Sequence, residues 1–211
     1  IDTCTNNFAT WNPLAQPNGT LSERNLSVSG VEDTPATIGV TAGKWYWEYK
    51  RTNTGNSLHW GICSTKKGFN LTTRQMLNGE TNSVGSAIYI YETDTGDASY
   101  STSGGFSSLD YSGVDVSGNN IANGDIVGCA LDISTSSGTL TFYKNGSSIG
   151  SATFTYDQET PVFPFIRHNS GSTGDVNFGS PPYAISSGNA DGNGYGNFEY
   201  AVPTNYYSLC T

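Results

Sequence analysis

The chain carries two histidines, His59 and His168, and any nucleophilic triad would have to be built around one of them. Such a triad needs a serine and a carboxylate held at fixed distances from the imidazole. Serines are plentiful, but the one G-x-S-x-G match, Gly146 to Gly150, falls on the Asn145-Gly146 hairpin signal and not on a strand-to-helix turn. Glycoside cleavage needs two carboxylates facing one cleft, and no E-x-D-x-E alternation occurs. Glu48 stands alone between Trp47 and Tyr49, and is expected to meet a basic neighbour or solvent. Asp191-Gly192-Asn193-Gly194-Tyr195 has the opening of a calcium loop but lacks its distal Glu, so it reads as a plain loop. The expectation is a non-enzyme with no catalytic residues, no metal and no cofactor.

Cys4, Cys63, Cys129 and Cys210 fit no zinc spacing. Cys63 and Cys129 lie in apolar runs and read as buried thiols. Cys4 and Cys210 sit at opposite chain ends, which domains often bring together, so an oxidising compartment would allow a bond between them. Asn18, Asn25, Asn70 and Asn145 open N-x-Ser/Thr sequons, which matter only in a secretory pathway.

The elements that must position any site are strands. Charged residues are only 13% of the 211, and Gly, Ser, Thr and Asn fill the spaces between short aromatic and β-branched runs. In Lys44-Trp45-Tyr46-Trp47-Glu48-Tyr49-Lys50, Trp45, Trp47 and Tyr49 share one face. Further strands are expected at 58–63, 87–91, 125–133, 139–144, 149–155, 162–167 and 175–179. Asn145-Gly146 is a strong two-residue hairpin signal. Residues 66–86 read as a long loop with weak strand character, and 92–113 as a loop. From Ser180 the texture changes: Pro181-Pro182, a Gly/Asn-rich run, then a tail with Phe198, Tyr200, Tyr206, Tyr207 and Leu209 that could dock on the body. No long apolar run is available to span a membrane. A net charge of −9 with scattered Lys and Arg disfavours nucleic acid, because phosphate contacts need basic groups. The first residue is Ile1, which suggests a processed product or a stretch of a longer polypeptide.

Many short strands at roughly ten-residue spacing indicate an all-β sandwich or barrel. Three segments in order then resemble the SPRY domain: Gly43-Lys44-Trp45-Tyr46-Trp47-Glu48, Gly124 to Asp132 (GDIVGCALD), and Gly138 to Gly146 (GTLTFYKNG). Pro161 to Phe165 and Asp175 to Gly179 are similar to the family's closing strands, whereas His59-Trp60 stands where the family has smaller aliphatic residues. The resemblance implies a two-sheet antiparallel β-sandwich, a concanavalin-like jelly roll. Its expected divisions are an N-terminal arm over 1–19, the sandwich over 20–180, and a C-terminal arm over 181–211 packed on it.

Short flanks, Asn6 to Leu14 and Pro203 to Thr211, resemble those of SPRY modules in structural proteins of tailed phages and marine viruses. They imply a virion component, such as a tail fibre tip, head fibre or capsid decoration, for host attachment. The implied partners are a protein or glycan on a host surface, or other virion proteins, within a larger assembly that could be oligomeric. A cellular SPRY adaptor for a short peptide and a lectin-like carbohydrate-binding sandwich are the alternatives. SPRY domains bind through loops at one end, which by position implies Thr52 to Leu58, Glu92 to Gly113 and Arg167 to Gly174. The candidate binding residues are Asn53, Asn56, Tyr91, Tyr100, Phe106, Tyr111, Arg167 and His168. The tyrosines sit among Ser, Gly and Asp, the composition of adaptable binding loops.

Overall fold

The computed structural model describes residues 6–15, 19–30, 32–54, 58–64, 69–70, 75–76, 87–92, 98–103, 111–113, 119–156, 158–168 and 171–211. In chain order the strands are β1 (Thr20–Ser22), β2 (Ser27–Ser29), β3 (Glu32–Pro35), β4 (Lys44–Thr54), β5 (Leu58–Ser64), β6 (Phe69–Asn70), β7 (Gln75–Met76) and β8 (Ala87–Glu92). They continue as β9 (Ala98–Ser103), β10 (Tyr111–Gly113), β11 (Ile126–Asp132), β12 (Ser137–Lys144), β13 (Ser147–Thr155), β14 (Val162–His168), β15 (Ser172–Asn177) and β16 (Tyr207–Ser208). Among the described residues the helical content is one 3-10 turn, Pro13–Ala15. No helix there is long and apolar enough to cross a membrane.

Two sheets face each other as an antiparallel β-sandwich. One runs β1-β2-β15-β4-β11-β12-β13-β10, and the other β3-β14-β5-β8-β9. The strands read from apolar alternation all form, with ends shifted by a few residues at most. The Asn145-Gly146 turn joins β12 to β13 with Lys144 opposite Ser147. Both turn residues have positive φ, 48° and 80°, the backbone that Asn-Gly supplies at least cost.

Two segments read as loops contain strands. Ala98–Ser103 pairs with β8, and Tyr111–Gly113 pairs with β13 in the other sheet. Within 66–86, β6 and β7 form a small hairpin. Main-chain hydrogen bonding holds such strands without an apolar stripe, so side-chain alternation does not reveal them.

The core lies between the sheets. Trp47, Tyr49, Val127, Cys129, Leu131, Leu140, Phe142 and Val176 meet Trp60, Ile62, Val162 and Ile166, all buried. The chain ends lock together beside it. Asn7 N–H and Thr211 N–H each donate to the other's carbonyl, and Ala9 N–H donates to Leu209 O, with Ala9, Trp11 and Leu209 in the core.

Candidate functional site

Strand register gathers one end of the sandwich. Glu32, His168, Leu58, Glu92 and Ala98 form one rung across the smaller sheet. In the larger sheet Thr54 lies opposite Ser172, and Thr173 lies opposite both Asn53 and Ser29. The chain crosses between sheets here three times, from Ser29 to Glu32, Thr54 to Leu58 and His168 to Ser172. β8 ends and β9 begins at the same end, with Glu92 opposite Ala98.

Of the candidate binding residues, this end brings together Asn53, Tyr91, Arg167 and His168. Asp33, Arg167, His59, Tyr91 and Ser99 share the rung next to the terminal one. Asn53 is exposed, and the adjacent Thr52 hydroxyl hydrogen-bonds that of Thr173 at 2.8 Å. Tyr100 is placed differently, within β9 opposite Ile90. Tyr111 pairs with Phe154 near the far end, so the tyrosines of 92–113 do not form one loop surface. Asn56 and Phe106 lie outside the described residues.

Arg51, which sequence reading passed over, underlies this end. It is 1% exposed, although it belongs to the polar run Lys50-Arg51-Thr52-Asn53. Its Nη1 donates to Ile121 O at 3.0 Å and its Nε to Asn53 O at 3.3 Å. The parity of Trp45, Trp47 and Tyr49, extended by one step, puts Arg51 on the inner face. That was the available signal.

Outside the larger sheet the tail forms a second polar cluster around Glu48. The expected solvent or basic neighbour is absent: Glu48 is 0% exposed. Its carboxylate accepts from Tyr46 Oη (3.2 Å), Asn177 Nδ2 (3.2 Å), Glu199 N–H (3.0 Å) and Tyr200 N–H (2.8 Å). Burial raises the carboxyl above its ordinary value, and the donors from Tyr200, Glu199, Asn177 and Tyr46 offset only part of that. Glu48 is thus a clamp for the tail. Phe198 packs edge-on against Tyr46 at 5.3 Å, and Tyr207 and Ser208 pair in parallel with Trp45 and Tyr46.

Asp191 closes the far part of the tail. One carboxylate oxygen accepts from the N–H groups of Asn193 and Tyr195, and the other from the N–H and Oγ of Ser208. Burial opposes its charge, but the Ser208, Tyr195 and Asn193 donors outweigh this and hold the carboxyl below its usual range. Both oxygens are committed to the chain, so the loop is built as a brace. No group of three or more metal-ligating side chains occurs among the described residues. Asp191→Ala should lower stability by about 2 kcal/mol, the order of two or more lost charge-assisted bonds. Urea midpoints and exchange of the Ser208 amide would check this, and unchanged Ser208 protection would count against the brace. Because the folded carboxyl lies below its unfolded value, this stabilisation is present above about pH 4 and lost as pH falls through the folded value.

Cys63 and Cys129 are buried, and burial pushes the Cys129 thiol up, which keeps it protonated and unreactive. Cys210 is a free thiol bridged through its main chain to Phe8, and Cys4 lies outside the described residues.

A family model, the SPRY domain, matches residues 44–181. The PSpry domain of TRIM65 superposes with a TM-score of 0.52 at 18% identity, over 81% of this chain and 89% of that one. The SPRY domain of human HERC1 gives a TM-score of 0.52 at 17% identity, over 79% of this chain and 96% of that one. A further human SPRY domain gives 0.50 at 15% identity, over 81% and 98%. No curated protein sequence matches the chain. These neighbours share its two-sheet architecture, the matched segment takes in β4 through β15, and the chain belongs to the SPRY domain family.

Proposed function

We propose that the chain is a non-enzymatic binding module that holds a partner protein at the crossover end of the sandwich. SPRY domains are generally non-enzymatic modules for protein or peptide binding, and this chain belongs to them. The observation that carries the placement is the convergence of three sheet-to-sheet crossings and one hairpin turn on a single end. A rigid scaffold that gathers its connections in this way is suited to binding. Asn53, Tyr91, Arg167 and His168 are the recognition positions. For the whole assembly we propose a virion surface, where the module would attach to a host protein or to another virion protein. The short flanking segments support this finer reading by their resemblance to virion proteins.

Site-specific photo-crosslinking tests both parts. A benzoylphenylalanine at Asn53 should crosslink to a partner in the native particle or tissue. One at Thr135, exposed in the turn after β11 at the opposite end, should not. Equal yields at both positions would sink the placement. A cellular signalling partner, rather than a host-surface or virion protein, would sink the virion assignment. A Cys4–Cys210 bond is proposed for oxidising conditions, and intact mass should then rise by two hydrogens on reduction. An unchanged mass removes it.

A further inference from the structure

The sequence contains five Asn-Gly pairs, and three of them lie wholly among the described residues: Asn123-Gly124, Asn145-Gly146 and Asn193-Gly194. Such a pair is open to deamidation, because glycine has no side chain to shield its main-chain nitrogen. The three are alike in sequence and setting. Each asparagine is exposed. Each glycine has the same left-handed backbone, with φ of 89°, 80° and 79° in that order. They differ in what holds the reacting carboxamide.

At Asn145 both ends of the carboxamide are taken. Nδ2 donates to Asp125 Oδ1 at 2.7 Å, and Oδ1 accepts from the Ile126 N–H at 2.9 Å. Burial opposes the charge of Asp125, but Asn145, Ala122 and Lys144 outweigh it and hold the carboxyl below its usual range. The first bond is therefore charge-assisted. The turn is also crowded, since a Cβ on Gly146 would stand 2.6 Å from the Tyr200 ring. Asn123 and Asn193 have neither restraint. Their carboxamides make no hydrogen bond among the described residues, and a Cβ on Gly124 or Gly194 would meet nothing within 4 Å. Each reacting glycine nitrogen there carries one neutral bond, from Gly124 N–H to Arg51 O (2.8 Å) and from Gly194 N–H to Asp191 O (2.9 Å).

We infer that the folded chain deamidates at Asn123 and Asn193, and that the Asp125 carboxylate guards Asn145 against the same reaction. The glycine nitrogen gives its proton to solvent base, and its electron pair forms a bond to the asparagine Cγ. The Cγ–Nδ2 bond breaks, and that nitrogen takes a proton from solvent and leaves as ammonia. Solvent water then opens the cyclic imide at either carbonyl, leaving aspartate or isoaspartate. The sum is one water gained and one ammonia lost, with nothing oxidised or reduced. At Asn145 any rotation of the carboxamide gives up both of its bonds, one of them to a charged group. That loss should make Asn145 at least about tenfold slower than the other two. The chain should thus gain carboxylates with age in two places, the turn that Gly124 ties to Arg51 and the loop that Asp191 braces, while the β12–β13 hairpin keeps its amide. The inference is independent of any partner.

The whole chain, incubated folded in mildly alkaline buffer and then digested with pepsin at acid pH, provides the test. Deamidation shows in each peptide as a gain of one mass unit. Asn123 and Asn193 should convert while Asn145 lags at least about tenfold. In urea, where the bonds to Asp125 and Ile126 are gone, the three rates should converge. Asp125→Ala should bring Asn145 up toward the native rates of the other two, with near-ultraviolet circular dichroism reporting that the fold persists. Equal native rates at all three positions would overturn the inference, and so would an Asn145 that lags in urea as well. A folded Asp125→Ala chain in which Asn145 still lags removes Asp125 as the guard. The comparison of native chain with urea needs no variant to fold.

Discussion

Glu48→Ala should unseat the C-terminal tail and cost on the order of 3 kcal/mol, because a buried acceptor removed from several donors leaves each of them unpaired. The substitution strands the Tyr46 hydroxyl and the Glu199 and Tyr200 N–H groups, and leaves Asn177 Nδ2 with Asn197 O as its acceptor. The two main-chain donors lie more than 150 residues away in sequence, so they register the docking of the tail itself. Urea unfolding gives the energy, and hydrogen exchange at Glu199 and Tyr200 gives the location. Unchanged protection at those amides would show that Phe198 and β16 hold the tail without the carboxylate. Glu48→Gln separates charge from bonding. Its carbonyl oxygen can still accept from the two main-chain N–H groups, so it should cost less than alanine. The folded carboxyl titrates above its unfolded value, so its stabilising contribution is full below about pH 4.5 and declines as pH rises through the folded value. Asp125, Asp132 and Asp191 are all held below the usual range and stay ionised across that window. Glu48→Gln should therefore flatten the decline between pH 4.5 and 8. A parent protein whose stability rises over that interval would contradict the assignment.

The sequence disclosed those parts of the fold in which burial and strand period coincide. Trp45, Trp47 and Tyr49 on β4 and the apolar run of β11 face the core, so their residue types carry the information. The Asn145-Gly146 turn was legible for a different reason, since few residue pairs tolerate two positive φ angles. β9, with the sequence Ala-Ser-Tyr-Ser-Thr-Ser, pairs with β8 at the margin of a sheet, and its sequence carries no apolar alternation to mark it. Glu48 escaped because two of its donors are main-chain N–H groups, which every residue except proline carries, brought in by a distant tail. The candidate site was legible only as a set of loops. Which loops share an end depends on register, and register divided Tyr111 from Asn53, Tyr91 and Arg167.

Arg51→Met should be the second costly change, on the order of 3 kcal/mol, since it deletes the charge-assisted bonds of a buried guanidinium while keeping an apolar stem of similar reach. The carbonyls of Ile121 and Asn53 would then be left without the guanidinium that now spans them. One of these belongs to Asn53, a proposed recognition position, so the substitution should act on binding as well as stability. Arg51→Lys is the sharper probe. A lysine keeps the charge but presents a single ammonium instead of a planar fork, so it cannot reproduce the paired geometry. It should recover part of the stability while the crosslink from position 53 stays weak. Thermal unfolding and crosslinking yield on the same samples separate the two effects. If Arg51→Lys binds at full strength, the end of β4 is held in place by its pairing with β15 and the Thr52–Thr173 hydrogen bond, and the guanidinium contributes only to the core. If binding falls with the fork while the fold persists, the last inward-facing cation of β4 is what sets the geometry of the recognition end.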